Sequence, residues 1–157
     1  MSVQTNFHDI SLINDYLFIS AWPKGEHAEE IQSLGVRLIL SMHWLRPSRS
    51  LGKTPVQLLW LPTFDNPILL MPLNTLYRGV KTALPVIEGG GKVLVHCRVG
   101  RHRSVAMACC ILIGMGYSSS DAMKLVKERR EEADPDRWYI RSRIIMFEDY
   151  WRNGLFD

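Results

Sequence analysis

The chain has 157 residues, 46% of them hydrophobic, which is enough for one domain with a proper core. Nineteen Lys and Arg against 16 Asp and Glu leave a formal charge of +3, a mild positive balance that suits an anionic substrate and does not demand nucleic acid. No apolar run is long enough to cross a bilayer, residues 1–8 lack the basic-then-apolar pattern of a signal peptide, and three cysteines are too few and too badly placed for a disulfide framework, so the cytoplasm is the expected compartment.

Residues 10–13 and 16–19 are short β-like runs split by the turn pair Asn14-Asp15, which predicts a hairpin or two consecutive edge strands. Residues 26–34 contain helix formers with Ala28, Ile31 and Leu34 on one face, and Gly35 ends the helix. Residues 36–40 (Val-Arg-Leu-Ile-Leu) read as a mostly buried strand. Residues 42–55 are irregular and carry Arg46, Arg49 and Lys53, either a basic rim beside a site or an ordinary solvated loop. Residues 56–61 form another strand, followed over residues 62–67 by a loop bounded by two prolines with Asp65 near its middle. Residues 73–87 have helical periodicity, with Leu76, Val80, Ala83 and Leu84 on one face and Pro85 near the end.

After Glu88 and three glycines come a short strand (residues 93–95), a tight loop and an apolar helix (residues 104–114) that is buried all round. Gly116 breaks it, and Ser119 or Ser120 caps a further helix over residues 121–130, whose Lys127, Arg129 and Arg130 read as a solvated end. Residues 133–136 make a turn. Residues 137–152 form an amphipathic helix with Tyr139, Ile140, Ile144, Phe147 and Trp151 on its buried side. Strands alternating with helices, then helices alone, predict an α/β fold: a single three-layer domain over residues 1–157, with a central, mostly parallel sheet flanked by helices and the site at the carboxyl end of a central strand.

The stretch over residues 91–104 holds the chemistry. A strand runs into His96-Cys97, and five residues later Arg103-Ser104 opens a helix, so a thiol and a guanidinium stand at the two ends of a loop short enough to be a ring. Gly100 lets the backbone curl with its N–H groups inward, and the following helix turns its N-terminal end toward the ring, which makes the place an anion site. The five histidines are scattered without metal-ligand spacing, so neither a metal nor another cofactor is expected. Cys109 and Cys110 lie inside the apolar helix as small buried hydrophobes rather than resolving thiols for Cys97.

His96-Cys97, five residues, Arg103-Ser104 resembles the signature of cysteine-dependent protein phosphatases, and of the compact dual-specificity type in particular. The order of elements is similar to that fold over nearly the whole chain. The resemblance implies a phosphomonoesterase that acts on phosphorylated proteins through a phosphocysteine and needs no metal. Cys97 is then the nucleophile, its thiol brought from about 8.5 to roughly 3.5–7.5 by the helix end, N–H groups and cations. Arg103 clamps two phosphate oxygens, and the N–H groups of Arg98, Val99, Gly100, Arg101, His102 and Arg103 bind the remaining oxygens. Ser104 donates a hydrogen bond to the Cys97 sulfur as it leaves. By the same resemblance His96 lies behind the loop, orients it and tunes the thiol. Asp65, in a loop after a strand and at a separation from Cys97 similar to that of the family's acid loop, protonates the leaving oxygen and then activates water. The other aspartates show no route to the loop.

Two departures from the family stand out. The segment Cys110-Ile111-Leu112-Ile113 replaces an Ala-Tyr-Leu-Met box found in many dual-specificity phosphatases. Arg98 and Arg101 flank Gly100 and His102 follows, as in similar phosphatases that act on phosphoinositides or phosphatidylglycerophosphate. Two readings of Arg98 stay open: it meets a substrate with more negative charge than one phosphotyrosine, or it points away toward a surface carboxylate. The rivals are a phosphatase of phosphoinositides or another polyphosphorylated small molecule, an RNA 5′-triphosphatase, a rhodanese-like fold, and a phosphate-binding adaptor without turnover. The expected partner is a phosphorylated protein or small molecule, not nucleic acid, and the oligomeric state is not written in the sequence.

Overall fold

The computed structural model describes residue 7 and residues 9–156; the rest of the 1–8 segment, where no signal pattern is read, lies outside the described residues. Strands β1 (Ile10–Asn14) and β2 (Leu17–Ser20) form an antiparallel hairpin, the first of the two readings, and Asn14 Oδ1 accepts from the Tyr16 N–H in the turn between them. A 3-10 turn (Gly25–His27) leads into helix α1 (Ala28–Ser33). Gly35, at φ +90°, turns the chain into β3 (Val36–Ser41). A second 3-10 turn (Arg49–Gly52) interrupts the basic stretch before β4 (Gln57–Trp60). Helix α2 (Leu73–Glu88) carries Pro85 on an exposed position in its last turn, where the bond its missing N–H would have made to the exposed Lys81 carbonyl is given up to solvent. Strand β5 (Lys92–His96) precedes α3 (Arg103–Gly114), α4 (Ser119–Arg129) and α5 (Trp138–Arg152).

The sheet order is β1-β2-β5-β3-β4, with β2, β5, β3 and β4 parallel and β1 antiparallel at one edge. Alternation along each strand divides the core between two faces. Leu17, Ile19, Leu38, Leu40, Val93 and Val95 pack with α2 to α5. Phe18, Ile39 and Leu94 face the thinner layer formed by Ile31 of α1, Leu51, Val56 and Phe7. This is the predicted three-layer, mostly parallel arrangement, with the apolar α3 at its centre: every residue from Arg103 to Ile113 is buried.

Some details differ from expectation. The cap of α4 is Ser118, whose hydroxyl accepts from the Asp121 N–H at 3.0 Å, one position before the serines expected. Ile140, Ile144 and Phe147 are buried on α5, whereas Tyr139 and Trp151 are half-buried. Since β5 is the central strand, its carboxyl end delivers Cys97 to the crevice between β2 and β3, where the loops after β2, β3 and β4 converge.

Candidate active site

Cys97 follows β5 directly and its side chain is buried. Its Sγ lies 3.2 Å from Ser104 Oγ and accepts from the Gly100 N–H at 3.3 Å. Burial pushes the thiol up, but hydrogen bonds from the Ser104 hydroxyl and N–H, the Arg103 charge and the Arg101 N–H outweigh it, and the net direction is down. Gly100 closes the ring at φ +69°. A Cβ there would stand 2.6 Å from Arg130 Nη2 and 2.7 Å from the Ser20 carbonyl, so no side chain fits. His96 is fully buried beneath the ring, its Nδ1–H donating to the Cys97 carbonyl at 3.2 Å, with the edge of Trp22 against it. Burial, together with Arg103 and His43 nearby, drives its pKa down to about 4, so it is neutral.

The acid candidate comes from the loop after β4. Asp65 lines a cleft of about 320 Å³ together with Cys97, Arg98, Val99, His102, Arg103, His43, Trp44, Phe64 and Asn66. Arg103 joins the two loops: its Nη1 donates to the Thr63 carbonyl at 2.9 Å, while its buried Nε has no partner among the described residues. Asp65 itself is held at both oxygens. Oδ2 lies 2.8 Å from His102 Nδ1, and Oδ1 accepts from the Tyr139 hydroxyl at 2.8 Å. Burial raises the Asp65 pKa, but these two bonds and the charges of His102 and Arg103 carry it below the ordinary carboxylate value. Tyr139 moves the opposite way, held protonated by burial and by the carboxylate it donates to.

Three residues missed by sequence reasoning support the ring from the last third of the chain. Arg130 is not solvated; it is 1% exposed. Its Nε donates to the Gly100 carbonyl (2.8 Å) and its Nη2 to the Val99 carbonyl (2.9 Å) and to Asp9 Oδ1 (2.7 Å), while Nη1 donates to Ser11 Oγ (3.1 Å). By taking the loop carbonyls on its outer side, it leaves the N–H groups to the inside. Asp134 also has a route to the loop, contrary to expectation: its N–H donates to the Arg101 carbonyl at 3.0 Å, and its Oδ2 lies 3.5 Å from His102 Nε2 and 4.0 Å from Arg101 Nη2. Tyr139, expected on the buried side of the last helix, is half-buried against the core and also donates its hydroxyl to Asp65. No local pattern marks Arg130, though a basic residue just past the end of a helix and beside an acidic turn is a place to look for one.

The rest of the predicted set divides. Ser104, Gly100, Arg103 and Asp65 gather around Cys97. Arg98 and Val99 line the cleft as exposed residues, and Arg98 makes no ion pair among the described residues. His102 turns its ring to Asp65, and Arg101 turns toward Asp134. Cys109 and Cys110 are fully buried, and burial drives both thiols up. Arg46 lies over the Trp60 ring at 4.9 Å, so the basic stretch is partly tied down. Exposed Trp44, Phe64 and Val99 give the cleft an apolar mouth. Among the described residues no helix is long and apolar enough to cross a membrane.

The family model described as dual specificity phosphatase, catalytic domain, matches residues 17–149. The tyrosine-protein phosphatase yvh1 of Schizosaccharomyces pombe is 26% identical over 144 residues, 91% of this chain but 43% of that protein, so this chain spans less than half of that relative's length. Human dual specificity phosphatase 28 is 31% identical over 124 residues, 76% of this chain and 67% of that protein. The crystal structure of PTPMT1 in complex with PI(5)P shares the fold, with a TM-score of 0.83 at 22% identity over 94% of this chain and 99% of that one. The family match takes in the Cys97 ring, the Asp65 loop and the Arg130 support together, and this chain belongs to the dual specificity phosphatase family, whose catalytic domain it carries.

Proposed function

We propose that this domain hydrolyses phosphomonoesters through a phosphocysteine on Cys97, without a metal, and that phosphorylated proteins are its substrates, phosphotyrosine first and phosphoserine or phosphothreonine after it. The observation that carries this reading is a buried thiol drawn toward the thiolate by Ser104, Arg103 and loop N–H groups, in one cleft with a carboxyl group. Cys97 Sγ attacks phosphorus while Arg103 and the inward N–H groups hold the phosphoryl oxygens. Asp65 gives a proton to the leaving oxygen and in the second step takes one from the attacking water. Ser104 donates to the sulfur as it departs. An apolar mouth at Trp44, Phe64 and Val99 suits the side chains around a phosphorylated residue. Three free thiols suit a reducing compartment, and we place the protein in the cytoplasm.

A second reading, a phosphoinositide or another polyphosphorylated small molecule, draws on one feature: Arg98, exposed in the cleft beside Cys97 with no ion pair among the described residues, is a cation available to a further phosphate. Phosphate release from an aryl phosphate in chelator, for wild type and Cys97→Ser, tests the chemistry, and a panel of phosphopeptides and short-chain phosphoinositides separates the substrates. Activity lost in Cys97→Ser supports the thiol mechanism. Activity retained there sinks it, and phosphopeptide binding without release by wild type points to an adaptor.

A further inference from the structure

Asp65 presents a difficulty that its own surroundings resolve. An acid that protonates a leaving oxygen must hold a proton, yet the bonds around Asp65 favour its carboxylate. The proton has to be stored within reach. Arg103 cannot release one. Tyr139 is held more firmly protonated than a free phenol. The remaining neighbour is His102, a buried residue whose Nδ1 stands 2.8 Å from Asp65 Oδ2.

The charged and titratable groups facing this pair come from four directions. Cys97, Arg101 and Arg103 belong to the ring and the start of α3. Asp65 belongs to the loop after β4. Asp134, in the connection before α5, has Oδ2 3.5 Å from His102 Nε2 and 3.5 Å from Arg137 Nε. Tyr139 packs from α5 with its ring 6.1 Å from the imidazole. Each imidazole nitrogen thus faces a carboxylate, Nδ1 in a short hydrogen bond and Nε2 at ion-pair distance. A neutral His102 protonated on Nε2 keeps that nitrogen 3.5 Å from Asp134 Oδ2, without a hydrogen bond between them among the described residues, while Nδ1 is free to exchange a proton with Asp65.

We propose that His102 is a positioning residue that shares a proton with Asp65, so that the His102–Asp65 pair, not a lone carboxyl, is the acid and base of the reaction. The inference rests on the phosphatase reading above. As Cys97 Sγ gives its electron pair to phosphorus and the P–O bond breaks, the proton on Nδ1 crosses to Asp65 and Asp65 passes it to the leaving oxygen. The imidazole is left neutral with its remaining hydrogen on Nε2. In the second step water attacks phosphorus and the P–S bond returns its pair to Sγ. Asp65 takes the water proton and hands it back to Nδ1. One proton leaves the pair and one returns, with no other donor needed. Because the two groups interact strongly, the alkaline limb of kcat reports a value belonging to the pair.

His102→Asn retains an N–H donor for Asp65 but has no proton to lend; His102→Gln is the second variant should the first fold poorly. On phenyl phosphate at about pH 7, kcat falls tenfold or more and the alkaline limb moves to lower pH, while on p-nitrophenyl phosphate, whose leaving group departs without a proton, the loss stays within about threefold. An unmoved alkaline limb, or equal loss on both esters, overturns the proposal. A readout free of turnover is nitrogen NMR of labelled histidine: Asp65→Asn must move the His102 Nδ1 resonance, which reports the shared hydrogen bond, and an unmoved resonance overturns the pair. Should wild type release no phosphate, the phosphatase reading falls, while the Nδ1 resonance still decides whether the two groups share a hydrogen bond.

Discussion

Cys97 and Cys109 stand on the same stretch of chain, both within the core, yet their thiols are pushed in opposite directions. Cys109 faces only apolar neighbours inside α3, and burial acts on it unopposed. Cys97 is almost as buried, but it sits where the helix begins rather than where it continues. There the N–H groups are not consumed by the preceding turn, and they join the Ser104 hydroxyl and the Arg103 charge around the sulfur. The difference teaches that depth alone does not make a thiol inert. What decides is whether the buried sulfur is surrounded by donors, and only the ring at the end of β5 supplies them.

The largest effect expected from this contrast is chemical selectivity. At neutral pH in the folded protein, iodoacetamide alkylates Cys97 faster than Cys109 or Cys110 by a factor on the order of 10³ or more, since both access and thiolate character favour it. Peptide mass spectrometry over a time course measures the ratio. Comparable labelling of the helix cysteines under native conditions breaks the comparison.

The next effect comes from behind the ring. Replacing Arg130 with Met removes the guanidinium from the Gly100 and Val99 carbonyls and leaves Asp9 without its partner. Asp9 is half exposed and water can take over its pairing, so the expected loss is about 1–3 kcal/mol, from the buried loop carbonyls left without their donor, read from urea unfolding. With its outer bonds gone the loop no longer aims its N–H groups inward, so the Cys97 titration, followed by thiolate absorbance, moves up toward that of an ordinary thiol. If stability falls but the titration stays, Arg130 braces the fold without shaping the anion site.

Arg130 also marks the boundary of what the residues alone disclose. Cys97, Arg103 and Ser104 are legible because their geometry is local: a strand, a short loop and a helix start fix their relation within a few residues. The alternation of strands and helices gives the sheet and its layers for a similar reason, since each face is written in the period of its apolar positions. Asp65 is legible only through the resemblance, whose acid loop stands at a similar distance along the chain. Arg130, Asp134 and Tyr139 are not, because they reach the site only after α3 and α4 have folded the chain back across it. An arginine just past the end of a helix looks the same in sequence whether solvent or two loop carbonyls receive it. His102 illustrates the other limit: its place in the ring is plain, but the side to which it turns depends on an aspartate 37 residues away.

His96, the neighbour of Cys97, offers the smallest and cleanest test, because here burial wins one residue from where it loses. In its neutral form the proton sits on Nδ1, donated to the Cys97 carbonyl, and the buried Nε2 has no partner among the described residues. A second proton would place a charge in the core near Arg103, and the pKa accordingly falls from 6.5 to about 4. The unfolded chain therefore takes up a proton at higher pH than the folded one. Stability is complete above about pH 6.5, declines as the pH falls from there to about 4, and is unaffected by this group below that, with a total change of about 3 kcal/mol. The depressed carboxyl of Asp65 acts in the same sense but below the ordinary carboxylate value, so the window belongs to His96 and, in the same sense, to His43, which burial, Arg103 and Arg98 also hold down. Urea unfolding at several pH values between 7 and about 5 resolves the slope, and His96→Asn, which keeps a donor for the Cys97 carbonyl and cannot titrate, removes the larger part of it and leaves the contribution of His43. A slope undiminished in His96→Asn means that the acid sensitivity arises elsewhere, and that burial does not govern the residue beside Cys97 as it governs Cys109.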